Sequence, residues 1–224
     1  MFAVTDAWRT TYPEAHAGFL VMQDVANPAA DPGLAGQRQA LQDRLRAQYA
    51  GQDRAALGAN PTLLAYNTYY KQFRKTYHVL AQLESIAFKG RAIPSAGALV
   101  EAMFMAEVKN LLLTAGHDLD RVQLPVTLGV AGGSESYTTL RGQEQVLKAG
   151  DMCMADQAGV ISSIVYGPDQ RTPITAETRN ALFAVYAPAG IAAVAVQMHL
   201  QDIAETVRTV SPAAVVKRLE VLGG

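Results

Sequence analysis

The chain of 224 residues contains one cysteine, Cys153, and one tryptophan. A single thiol excludes a disulfide framework and any thiolate metal centre; within the apolar run Met152 to Ala155 it reads as packing material. Excess charge of either sign is also missing, with 19 Lys and Arg against 20 Asp and Glu, so a nucleic-acid partner would have to be met by a local patch. The longest apolar run, Ala181 to Val196, is interrupted by Pro188 and Gly190 and is too short to cross a bilayer, so no membrane partner is expected. The first residues, MFAVTDAWR, have neither a basic leader nor an apolar signal core, and the expectation is a cytoplasmic protein. No G-x-x-x-x-G-K-[ST] loop, no G-x-G-x-x-G after a strand and no G-x-S-x-G elbow occurs, which removes the main support for ATPase, dinucleotide-binding and α/β-hydrolase readings. The four histidines, His16, His78, His117 and His199, lack ligand spacing; only His117 with Asp118 and Asp120 offers possible ligands, and no metal or cofactor is expected.

What is present is half hydrophobic and 17% charged, a composition suited to one large domain with a substantial core. Phe2 to Tyr12 and Ala17 to Val25 read as two strands at a sheet edge. Leu34 to Tyr49 reads as an outer amphipathic helix, Asn60-Pro61 as the cap of the next, and Leu80 to Phe88 as a third that stops at Gly90. Between them, Tyr69 to His78 interleaves basic and aromatic residues. Lys71, Arg74, Lys75 and His78 suit phosphates and the rings suit unpaired bases, although a helix with rings inward and cations outward has the same pattern.

Glu101 to Arg121 is the stretch around which the chain is expected to be organised. Val100, Met103, Phe104, Val108 and Leu111 recur at helical spacing, and Glu107, Asn110 and Thr114 fall in one polar row beside them. Gly116 suits a left-handed helix stop, which would deliver His117, Asp118 and Asp120 just beyond the end. After Arg121 the texture becomes short strands punctuated by glycine, a hairpin-rich and largely antiparallel sheet. The loop Gly167 to Pro173 places Asp169 and Arg171 two residues apart, able to orient a ligand or to pair with each other. Ile191 to Val210 reads as a long helix, and Ser211-Pro212 opens a final one. The fold class expected is α+β in a single domain over 1–224: a mostly helical N-terminal portion over 1–90, a core over 91–188 and C-terminal helices over 189–224.

Five segments occur in an order and at spacings that resemble a known family: Gly116-His117-Asp118-Leu119-Asp120-Arg121, Leu140-Arg141-Gly142-Gln143-Glu144, Asp151-Met152 with Ala155-Asp156, Tyr166-Gly167-Pro168-Asp169, and Thr175 to Asn180. Together they resemble the editing (B-three/B-four) domain of the β subunit of phenylalanyl-tRNA synthetase, in its free-standing form. The resemblance implies an α+β domain that holds the 3′ end of a tRNA, or other RNA, and hydrolyses a wrongly attached amino acid in trans. By that resemblance Asp169 matches the carboxylate that discriminates the amino acid, one methylene shorter than the family's glutamate. Ala115 matches a family histidine, and His117 stands where the family has phenylalanine. The roles implied are catalytic positioning of water or ribose by His117, Asn110 and Thr172, substrate binding by Asp169, Arg171, Glu107 and Tyr166, and RNA contact by Lys71, Arg74, Lys75 and His78. A non-catalytic RNA-binding module and a binder of an amino-acid-like ligand remain open beside it.

Overall fold

The computed structural model describes residues 1–223 and shows a mixed α+β fold with largely antiparallel sheets and packed helices. Strands β1 (Phe2–Val4) and β2 (His16–Gln23) flank a short helix α1 (Asp6–Thr11), whose N-terminus Thr5 caps by accepting from the Trp8 amide. Four helices follow: α2 (Pro32–Gln48), α3 (Arg54–Gly58), α4 (Pro61–Gln72) and α5 (His78–Ala87). Asn60 caps α4 as its sequence suggests, its Oδ1 accepting from the Thr62 and Leu63 amides at 2.9 and 3.3 Å. Then come α6 (Ala98–Asn110), β3 (Thr114–Asp118) and a 3-10 turn at Leu119–Arg121. The strands β4 (Val126–Val130), β5 (Ser136–Thr138), β6 (Glu144–Val146), β7 (Met152–Asp156), β8 (Gly159–Ser163), β9 (Gly167–Pro168) and β10 (Asn180–Ala187) lead to α7 (Ala193–Val210) and β11 (Val215–Gly223).

Two larger sheets carry the core. One runs β1-β4-β7-β8-β9, with β1 parallel to β4 and the other neighbours antiparallel; the other runs β11-β2-β10-β3, antiparallel throughout. The hairpin β5-β6 stands beside them as a third, two-stranded sheet. A continuous apolar core joins both larger sheets to the helices. Among the described residues no helix is long and apolar enough to cross a membrane.

Three expectations about elements are corrected. The segment Phe2 to Tyr12 is a short strand and a helix, and β2 is no edge strand: Ala17 to Met22 are all buried because β10 and β11 pair on its two sides. The final segment is a strand rather than a helix, since Val215, Val216, Leu219, Val221 and Leu222 gain a full ladder against β2 that outweighs the Ser-Pro helix opening. The central helix stops early: Leu111 takes the left-handed conformation at φ 63°, and Gly116 lies inside β3. Gly116 is small for another reason. A Cβ there would sit 2.8 Å from Cδ1 of Ile174 and 3.3 Å from Sδ of Met103, so the glycine lets both side chains pass over the strand.

Candidate functional site

A cavity of ≈ 330 Å³ opens between α6, β3 and the turn that joins β8 to β9. Its outer end is bounded by exposed Leu140 and His78 with half-buried Tyr166, and its inner end by buried Leu113, Thr114, Glu107, Ile164 and Tyr186. Most of the lining is apolar, contributed by Met103, Phe104, Ile164, Val165, Pro173 and Ile174. That combination, an apolar body with a few polar groups at one end, is the usual form of a small-ligand site.

The walls are held from behind by tyrosines. Tyr66 donates to the Tyr186 carbonyl at 2.6 Å and accepts from the Leu113 amide at 3.0 Å, while Tyr77 donates to the Leu111 carbonyl at 3.0 Å. Tyr70 donates to the Ile164 carbonyl at 2.5 Å. Tyr69 donates to Asp151 at 2.8 Å and accepts from the Met152 amide; Asp151 in turn accepts from Ser163, whose Oγ takes the Val165 and Tyr166 amides. Burial pushes the Asp151 carboxyl up to about 6 against these bonds. The rings of Tyr69 to Tyr77 are therefore core, at 4% exposure or less for Tyr69, Tyr70, Phe73 and Tyr77. Of the two readings open for this segment, the one with rings inward and cations outward is observed: a ring buried on both faces has no free π surface to stack on a base. Lys71, Arg74, Lys75 and His78 remain exposed, and Lys75 Nζ lies 5.4 Å from the centre of the Tyr166 ring at the cavity mouth.

Of the residues assigned to the amino-acid end, Glu107 and Tyr166 line this cavity and the others do not. His117, fully buried on β3, meets Thr172 through Nδ1 at 2.7 Å; Thr172 donates to Asp169 at 2.5 Å. Because that hydroxyl hydrogen goes to the carboxylate, Nδ1 of His117 carries the proton and Nε2 is a lone pair with no partner. Burial, helped by the Arg171 charge, pushes the imidazole down to about 3, so it is neutral at physiological pH. Arg171 forms a two-point ion pair with Asp156 at 2.8 and 2.9 Å and reaches Asp169 at 3.5 Å. Of the two arrangements open to Asp169 and Arg171, mutual pairing is the one observed, and both line a shallower groove with Ser136 and Gly159. Asn110 is elsewhere: it donates to Asp202 at 2.7 Å and meets His199 Nδ1 at 3.2 Å, so it does not join His117 and Thr172. The helix ends at Asn110, which breaks the row that helical spacing would have continued to Thr114. Glu107 and Thr114 nevertheless meet, the Thr114 amide donating to Glu107 Oε1 at 2.8 Å.

Carboxylates of the recurring segments serve the frame. Asp118 accepts from Thr178 at 2.8 Å and from the Asp120 amide at 3.1 Å, and Asp120 accepts from Asn180 at 2.8 Å, which ties the end of β3 to the start of β10. Among the described residues no three His, Cys, Asp or Glu side chains gather closely enough to hold a metal ion. Ile164, Val165 and Ile174 line the cavity yet were not singled out in the sequence, because an apolar wall has no chemical signature there.

Comparison with known proteins bears on this architecture. A search of curated proteins finds no match. The structure is similar to a crystallised N-terminal fragment of the phenylalanyl-tRNA synthetase β-subunit from Pyrococcus horikoshii, with a TM-score of 0.51 and 12% sequence identity over 99% of this chain and 50% of that one. The chain thus spans about half the length of that fragment, and at this identity the likeness concerns the fold. A family model, the B3/4 domain, matches residues 99–222, a segment that contains α6, β3, the turn around Tyr166 and all the strands that frame the cavity. On that match over more than half its length, the chain belongs to the B3/4 domain family.

Proposed function

We propose that this chain binds the aminoacylated 3′ end of a tRNA, takes the amino-acid side chain into the cavity beside Glu107, and hydrolyses the ester of a wrongly attached amino acid in trans. The observation that carries the reading is the cavity itself: ≈ 330 Å³, apolar along its walls, polar at its inner end, and with Lys75 over Tyr166 at its mouth. It is large enough for one amino-acid side chain, not for a nucleotide chain, which fits recognition of an RNA terminus by its load. Lys71, Arg74 and Lys75 meet phosphates, His78 and Tyr166 meet the terminal nucleoside at the mouth, and Glu107 meets the side chain. His117, Thr172 and Asp169 hold the loop that carries Pro173 and Ile174 into the cavity wall. Ester hydrolysis in this setting relies on a positioned water and on selective binding.

The test is deacylation of a panel of mischarged tRNAs, including tyrosine on phenylalanine tRNA, by the protein and by Ala115→Leu, which fills the cavity from β3. Hydrolysis of one species that is lost in the variant is expected. A second reading, RNA binding without hydrolysis, draws on the engagement of His117, Asp169, Thr172 and Arg171 with one another. Salt-sensitive tRNA binding with no hydrolysis of any panel member would select it.

A further inference from the structure

The inner end of the cavity has a polarity that names the ligand more closely. Glu107 is 1% exposed, its Oε1 accepts from the Thr114 amide, and Oε2 has no partner. The carboxyl takes part in no ion pair among the described residues, and a buried acid without a cation keeps its proton; burial pushes this one up to about 8. Oε1 is occupied as an acceptor, so the proton sits on Oε2, on the side without a partner.

Thr114 points the same way by a longer route. Asp202 accepts from Asn110 Nδ2 at 2.7 Å, which fixes the amide with its nitrogen toward His199 Nδ1. Nδ1 is then the acceptor of that ring, and Nε2–H donates to Thr114 Oγ1 at 2.6 Å. The Thr114 hydroxyl is thereby engaged as an acceptor and keeps its own hydrogen free, at a residue that lines the cavity.

We infer that Glu107 and Thr114 form a donor pair at the inner end of the cavity, and that the ligand's buried tip is a neutral hydrogen-bond acceptor on an otherwise apolar side chain, rather than a hydrocarbon or an ammonium group. The inference rests on the proposed aminoacyl site and specifies its substrate class. A hydrocarbon tip leaves both donors without partners, and an ammonium tip faces two O–H groups instead of an anion.

Three non-hydrolysable probes separate the possibilities: 3′-aminoacylamino-3′-deoxyadenosines carrying norleucine, methionine sulfoxide or lysine, similar in length and different in the polar group near the end. Binding is measured by calorimetry to the full chain, to Glu107→Gln and to Glu107→Met. The sulfoxide probe is expected to bind about tenfold or more tighter than norleucine to the wild type. Glu107→Gln, which keeps an acceptor for the Thr114 amide and an N–H in place of the acid proton, preserves that ratio; Glu107→Met brings it near one. Ratios within one variant cancel any inactive fraction, and Glu107→Asp, which withdraws the carboxyl by one methylene, serves where the methionine variant does not fold. Equal binding of all three probes, or a preference for lysine, overturns the donor pair while leaving an aminoacyl site in place. Binding of none of them discards the aminoacyl site as well.

Discussion

Glu107 shows how a single buried group can be followed in the stability of the whole protein. Its folded-state pKa is raised from 4.5 to about 8, so folding and proton binding are linked. Below the unfolded value both states hold the proton and there is no penalty. As pH rises from 4.5 toward 8 the unfolded state ionises while the folded state does not, and stability is lost across that window. Glu107→Gln removes the linkage without removing the acceptor for Thr114, so its Tm is expected to gain on the wild type from pH 6 to pH 9, by several degrees at the upper end. Thermal melts at stepped pH measure this; a constant difference between the two proteins would show that Glu107 titrates normally. Tyr66 is a second such residue. Tyr66→Phe removes the acceptor of the buried Leu113 amide and the donor to Tyr186, and is expected to cost about 1–3 kcal/mol in urea unfolding, with the damage centred on the cavity wall.

At the scale of elements, the packing of α7 on β2 depends on Gly18. A Cβ there would lie 2.5 Å from Val196 Cγ1 and 3.0 Å from Leu200 Cδ1. Gly18→Ala is expected to destabilise by about 1–3 kcal/mol, and Val196→Ala in the same chain to recover part of the loss, a coupling that a double-mutant cycle reads directly. Elements were legible where the periodicity was clear, as for α2, α5, α7 and the hairpins after Arg121, or where a cap marked the start, as for α4. They were misread where a distant partner decided. Val215 to Leu222 becomes a strand through β2, about 200 residues earlier in sequence, and Leu111 ends a helix because Tyr77 and the start of β3 claim the chain there. The same limit applied to the site. Glu107 was visible as a carboxylate within an apolar helix, and Tyr166 as part of a recurring segment. The separation of Asn110 from His117, and the pairing of Asp169 with Thr172 and Arg171, follow from where β3 and the Gly167 to Pro173 loop pass, which no local pattern encodes.

For the whole molecule, the family segment 99–222 is not a self-contained body. Strand β2 lies between β10 and β11, β1 pairs with β4, and α4 supplies the tyrosine hydroxyls behind the cavity. A fragment that begins at residue 91 is expected to lack a cooperative thermal transition, and the full chain to melt in one step with coincident near- and far-ultraviolet circular dichroism.

The central place of β2 has a further consequence during synthesis. His16–Gln23 is made more than 150 residues ahead of its neighbours β10 and β11, so the strand emerges from the ribosome long before either partner exists. At about 5–20 residues per second that wait is on the order of ten to thirty seconds. Through it, the apolar run Ala17 to Met22 has no native strand to pair with and matches the composition of segments that associate between chains. The nascent chain is thus expected to need a chaperone holdase at β2, and expression yield to fall when translation of the segment between β2 and β10 is slowed.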